Sequence, residues 1–151
     1  MDEPPYPVGL DCCWLASDRV GQLGLFLTGG SGPIPMQAPL PQDPLDTIEK
    51  AILDLPKASD IERRVRTPRL GNFAALAERG FFVYDWSDVH RTERYIDEYE
   101  LIALPYRPVT LDQIPPGLAD MARGVRLGAI AFASAWRVDV RAHLACREAA
   151  R

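Results

Sequence analysis

The chain has 151 residues, 47% of them hydrophobic, enough for one compact core and too few for a second. Its formal charge of -4 sits mostly in the first sixty residues, where nine acids face three bases, so neither part carries the strongly basic face of a nucleic-acid binder. No apolar run reaches membrane-span length, the acidic and proline-rich start MDEPPYP lacks a signal-peptide pattern, and three cysteines make no disulfide framework; together these predict a cytoplasmic protein with no membrane segment.

Residues 1–8 carry three prolines and no periodicity, and read as an extended arm. Cys12, Trp14 and Ala16 then alternate with Cys13 and Leu15, and Leu23, Leu25 and Leu27 alternate with Gly24 and Phe26. This predicts a β-hairpin, with Asp18 opening the turn and Gly21 taking a positive φ. Both faces of both strands are apolar, which places the hairpin centrally in its sheet.

The glycine-rich stretch Thr28 to Pro33 has the composition of a phosphate cradle but not its context. Pro33, Pro35, Pro39 and Pro41 follow it, and no lysine precedes Lys50, so it reads as a turn leaving the sheet. Asp43 and Pro44 start a helix over 44–55, with Leu45, Ile48, Ile52 and Leu55 on one face and Pro56 ending it. Residues 57–66 stay open between two readings. Ser59 with Glu62 resembles a capping box, while Ile61, Arg63 and Val65 alternate like a strand. Thr67 and Pro68 open a second helix over 69–79, stopped by Gly80, and the arginines from Arg63 to Arg69 read as scattered surface charge.

Phe81 to Trp86 and Glu98 to Tyr106 are two strand-like runs joined by a charged connection, predicting an antiparallel pair with a long loop. Thr110 and Gln113 form a capping-box pattern before Pro115 and Pro116, and Leu118, Met121, Ala122 and Val125 mark a helix over 117–124. Leu127 to Phe132 reads as a further strand, extended by Trp136, Val138 and Val140. Residues 143–151 read as a frayed tail with a last helical turn.

Three constellations bear on chemistry. Asp85, Asp88 and His90 have the residue types for a metal-dependent or histidine-based enzyme, with a carboxylate orienting the imidazole or helping to hold a divalent ion. The same residues are explained by turn hydrogen bonds from the two aspartates and a histidine that is solvated or packed on Trp86. Cys12, Cys13 and Cys146 with His143 have metal-ligating chemistry, yet adjacent strand residues point to opposite faces, which makes buried apolar thiols the simpler reading. Ser17, Ser31, Ser59, Ser87 and Ser134 show no nucleophile-elbow pattern. No metal set and no cofactor motif is predicted.

Binding is the function left with positive support. From Asp85 to Glu100 the chain has six acids against Arg91 and Arg94, interleaved with Trp86, Tyr95 and Tyr99. Aromatic anchors ringed by acids suit a protein partner with a basic surface, and Trp86, Asp88, Glu93, Tyr95, Asp97 and Glu98 are the predicted contact residues.

The stretches DCCWLASDRVGQLGLFLTGGSGPIP, ERGFFVYDWSDVHR and YELIALPYRPVTLDQIP together resemble a family of small, largely uncharacterised bacterial cytoplasmic proteins. Some small bacterial α+β domains of this general look act as immunity proteins that bind and block a toxin. The resemblance implies such a role and assigns no catalytic residue. The expected fold is a single α+β domain, 1–151, with an antiparallel sheet of about five strands and about three helices packed mainly on one face. The expected function is non-enzymatic protein binding of an immunity-like kind; the alternatives are the small enzyme built on Asp85, Asp88 and His90, and a small-ligand sensor.

Overall fold

The computed structural model describes residues 6, 7, 9–40, 47–64 and 72–149. A mixed sheet of seven strands runs through the molecule in the order β4 (Ile61–Arg63), β6 (Tyr99–Pro105), β5 (Phe82–Asp85), β2 (Leu23–Leu27), β1 (Cys13–Asp18) and β7 (Arg126–Leu127), with β8 (Arg137–Val138) also paired to β6. A separate two-stranded ladder joins β3 (Ile34–Pro35) to β9 (Cys146–Arg147). The helices are α1 (Thr47–Leu53), α2 (Phe73–Glu78) and α3 (Pro116–Gly124).

The predicted α+β class holds, and the sheet corrects its detail. The expected antiparallel sheet is mixed, because β2 runs parallel to β5 and β1 parallel to β7. Parallel neighbours cannot be joined by a tight turn; here the long return from β2 to β5 carries α1 and α2. The strand count exceeds five because β4, β7 and β8 are two or three residues long, too short for any alternation to show.

The first hairpin forms as its sequence requires. Cys13 pairs with Leu27 and Ser17 with Leu23, and Gly21 has φ +80° in the turn. Asp18 does more than open that turn: its Oδ1 accepts the N–H of Val20 at 3.0 Å and of Gln22 at 2.9 Å. The hairpin lies inside the sheet, with β5 on one side and β7 on the other. The antiparallel pairing of β5 with β6 also follows the prediction, with a register shift between Val83 and Tyr84.

Strand alternation sorts the core into two halves. Leu15, Leu25 and Val83 face one side, where Ile48 and Ile52 of α1, Leu76 and Ala77 of α2, and Leu118 and Ala122 of α3 pack on them. The three helices therefore share one face, as expected. Arg79 ties two of them together, its guanidinium donating to the carbonyls of Leu53 and Leu55 at the end of α1.

The opposite face is aromatic. Trp14, Phe26 and Tyr84 are direct cross-strand neighbours on β1, β2 and β5, and their rings stack with centroids 4.1 Å and 4.6 Å apart. Among the described residues no α-helix lies over them; Tyr99 packs edge-on against Trp14 and Phe26, and Leu127, Phe132, Val138 and Val140 join the same cluster from the chain's last part. Phe132 comes so close that a Cβ on Gly24 would lie 2.8 Å from its ring. Buried hydroxyls are satisfied in this half of the core: Tyr84 donates to the Ala135 carbonyl at 2.6 Å, which ties the cover to the sheet, and Tyr99 donates to the Pro33 carbonyl at 2.8 Å while accepting from Trp14 Nε1 at 3.2 Å.

Several local expectations are corrected or placed. Residues 61–63 of the open stretch form β4, so Ile61 follows the strand reading. The predicted strand Leu127 to Phe132 pairs only through Arg126 and Leu127, and Phe132 begins a 3-10 turn that drops its ring onto the aromatic face. Within the tail expected to fray, Cys146–Arg147 pairs with β3 and Glu148 Oε1 lies 3.2 Å from Arg141 Nη1. Thr110 and Gln113 do form a capping box, on a 3-10 turn rather than an α-helix. The caps at Asp43, Pro44, Thr67 and Pro68, the prolines of the N-terminal arm at 4 and 5, and residues 150 and 151 lie outside the described residues.

Candidate functional site

The charged connection between β5 and β6 is built outward from Trp86. Strand alternation turns Trp86 to the aromatic face, where it is 7% exposed and packs on Tyr99 with centroids 5.1 Å apart. A 3-10 turn over Ser87–His90 follows, and then an open loop to Tyr99. That loop contains two non-glycine residues with left-handed backbone, Arg94 at φ +55° and Asp97 at φ +57°. Such conformations persist only where other contacts fix them.

Asp88 fixes them. Its Oδ1 accepts the N–H of Ile96 and its Oδ2 that of Asp97, both at 2.7 Å, and its side chain is 10% exposed. A carboxylate that accepts two backbone N–H groups closes the loop on itself. Arg91 lies beside it, with Nη2 3.4 Å from Glu100 Oε1 and Nε 3.9 Å from Asp88 Oδ1.

Arg141 braces the loop from the far end of the chain. Its Nε lies 2.9 Å from Asp139 Oδ1, its Nη1 3.2 Å from Glu148 Oε1 and its Nη2 3.1 Å from Asp97 Oδ2, and Nη2 also donates to the Asp97 carbonyl. The guanidinium sits 5.6 Å from the Trp86 ring. Burial works against its charge, but the hydrogen bonds to Asp139, Asp97 and Glu148 outweigh that and hold its pKa above the ordinary value.

Loop and tail segment enclose an open cleft of about 780 Å³. Trp86, Val89 and Tyr95 supply apolar wall, Arg91 and Arg141 cationic wall, and Asp97 and Glu148 acidic wall. Tyr95 is 65% exposed.

The predicted residues are thus divided. Trp86, Asp88, Tyr95 and Asp97 meet at the cleft, whereas Glu93 is exposed on the loop and Glu98 is half-buried at its end. Asp85 and His90 do not line that cleft. Asp85 is half-buried on β5, and burial pushes its carboxyl up to about 6, with Asp11 and Glu100 adding to the rise and His90 and the Trp86 N–H opposing it. His90 is exposed at the end of the 3-10 turn. A carboxyl near 6 exchanges its proton close to neutrality, a property of general bases, but Asp88 is turned to the loop backbone and away from such a role. Among the described residues, no group of three or more His, Cys, Asp or Glu side chains is placed to hold a metal ion.

The thiols separate as strand geometry dictates. Cys12 belongs to the aromatic half of the core and Cys13 to the helical half. Cys146 is half-buried, and burial pushes its thiol up to about 11, with Glu148 adding to the rise, which leaves little thiolate at neutral pH.

Arg141 and Glu148 escaped the reading of the sequence. Arg141 lies 44 residues from Asp97 and Glu148 within the stretch read as a frayed tail, and no spacing signal links them to residues 86–97. Among the described residues, no helix is long and apolar enough to cross a membrane. No family model, curated protein or solved structure shows significant similarity to the chain.

Proposed function

We propose that the chain is a non-enzymatic bacterial cytoplasmic protein-binding domain of an immunity-like kind, neutralising a partner toxin through the loop between β5 and β6. One observation carries this reading: Tyr95 stands 65% exposed on a loop whose backbone is pinned by Asp88 from within and by Arg141 from outside. Pre-ordering a loop removes entropy that binding would otherwise cost, and an exposed tyrosine on a rigid support has the character of an interface hot spot. Of the aromatics that suggested a contact surface, Trp86 and Tyr99 are core, so Tyr95 is the anchor. The six acids between Asp85 and Glu100 favour encounter with a basic surface.

The test is co-expression with the product of the neighbouring gene, followed by calorimetry on the purified proteins. The wild-type chain is expected to bind, and Tyr95→Ala to weaken binding by about tenfold or more. Absence of a complex, together with unchanged toxin sensitivity after deletion of the gene, would overturn the reading.

A further inference from the structure

We infer that the outer edge of the sheet, along β4, receives an extended acidic segment of another protein as an added strand. The inference does not depend on the loop between β5 and β6, and it starts from register. One edge of β6 pairs with β5; along its other edge β8 and β4 lie end to end, with Arg137 opposite Glu100 and Ile61 to Arg63 opposite Pro105 to Ala103. Among the described residues, β4 ends the sheet on that side. The Tyr106 N–H donates to the Asp60 carbonyl at 3.0 Å and the Arg64 N–H to the Ile102 carbonyl at 2.9 Å. In an antiparallel ladder this phase turns the N–H and C=O groups of Ile61 and Arg63 outward. No described residue bonds them, so the edge is a template for one more chain.

Charge decides what kind of chain. Arg63 on β4, Arg107 just past β6 and Arg137 on β8 are all exposed, and among the described residues none has a carboxylate within ion-pair distance. Glu100, opposite Arg137, lies 3.4 Å from Arg91 instead. The acids of the edge are matched: Asp60 lies 3.3 Å from Lys57, and Glu62 3.6 Å from Arg64. In a chain of net charge -4, these unmatched guanidiniums form a local positive excess that carboxylates of a partner would neutralise.

Exposed aromatics bracket the same edge. Trp136, 60% exposed, accepts the Leu101 N–H through its carbonyl, and Tyr106, 63% exposed, stands at the Asp60 end. The Arg64 guanidinium lies 3.7 Å from the Trp136 ring centroid and supports it from one side. Beside Tyr106 and Arg107 is an open hollow of about 420 Å³, room for an acidic side chain with its water. From residue 100 to residue 107 an extended chain covers about 23 Å, the length of an ordinary strand.

Other occupants fit less well. A single-stranded nucleic acid would meet the arginines and stack on the aromatics, but it has no N–H and C=O row to complete the ladder. A second copy pairing through β4 would bring its own Arg63 beside this one, and like charges repel across a ladder.

The experiment uses the full chain, isotope-labelled, with amide spectra recorded during titration by acetyl-Glu-Val-Glu-Val-Glu-amide. This peptide is expected to shift the signals of residues 61–64, 102–107 and 136–137, and to bind at least about fivefold tighter than its counterpart with lysine in place of glutamate. Arg63→Glu should remove that advantage, and its unchanged spectrum elsewhere confirms its fold. Only alternate N–H groups of a strand face its neighbour, so one of two further peptides, N-methylated at the valines or at the glutamates, should bind about fivefold more weakly. Equal loss from neither methylation would overturn strand addition, and equal binding of the lysine peptide would overturn the charge argument. No shift up to about 5 mM peptide would overturn both. A decamer of uridine that binds more tightly than the acidic peptide would assign the edge to nucleic acid and overturn the inference. Tyr95→Ala should leave the peptide affinity unchanged, which keeps this edge and the proposed loop interface separately testable.

Discussion

Asp18 reaches across 114 residues to Phe132: its Oδ2 accepts the Phe132 N–H at 2.8 Å while its Oδ1 holds the first hairpin turn. One buried carboxylate therefore joins the central hairpin to the segment that roofs the aromatic face. Asp18→Ala would leave three N–H groups without their acceptor and is expected to cost about 3 kcal/mol, measured by urea denaturation. A loss below about 0.5 kcal/mol would show that water replaces the carboxylate freely.

Gly24 tests the same junction from the sheet side. Replacing a strand glycine by alanine ordinarily stabilises or leaves stability unchanged, because it restricts the unfolded chain. Here the new methyl would lie 2.8 Å from the Phe132 ring, so Gly24→Ala is expected to destabilise by about 1–3 kcal/mol. Thermal melts of Gly24→Ala with and without Phe132→Leu check the cause, since the smaller side chain should recover part of the loss.

Asp85 gives the fold a pH signature. Its folded-state carboxyl is raised from 3.8 to about 6, so the native chain binds a proton there more readily than the unfolded chain. Its contribution to stability is full below pH 3.8 and is lost as the pH rises through 6. Relative to Asp85→Asn, the wild type should therefore gain on the order of 1–2 kcal/mol between neutral pH and pH 4. Denaturation of both proteins across that range decides it; parallel curves would place the carboxyl at its ordinary value.

The loop prediction separates order from stability. Asp88→Ala removes the acceptor of the Ile96 and Asp97 N–H groups, and these amides should exchange with solvent at least about tenfold faster. Hydrogen exchange read residue by residue tests this, with the amides of β2 as the unchanged reference. Unaltered protection at Ile96 would mean that Arg141 alone holds the loop.

The hairpin and the β5–β6 pair were legible because each contains several alternating residues bounded by turn formers, such as Asp18 and Gly21. The mixed character of the sheet was not, since local alternation in Leu23 to Leu27 is the same whether the neighbour runs parallel or antiparallel. Phe132 misled for a related reason. Leu127, Ile130 and Phe132 are apolar because they cover the core as separate plugs, and an alternating strand leaves much the same trace in composition. The acids of the site were visible as a local run, whereas the cation that organises them, Arg141, belongs to a tail whose order comes from β3 and Asp97. Contacts across so many residues leave no period in a sequence.

The aromatic ladder of Trp14, Phe26 and Tyr84 is assembled from the first 84 residues, but Phe132, which packs against both Phe26 and Tyr84, arrives only 48 residues after Tyr84. A ribosome therefore releases the ladder well before the last piece of its roof. Until Phe132 emerges, the half-made protein offers chaperones part of an aromatic face, and a chain cut before Phe132 would keep that part bare.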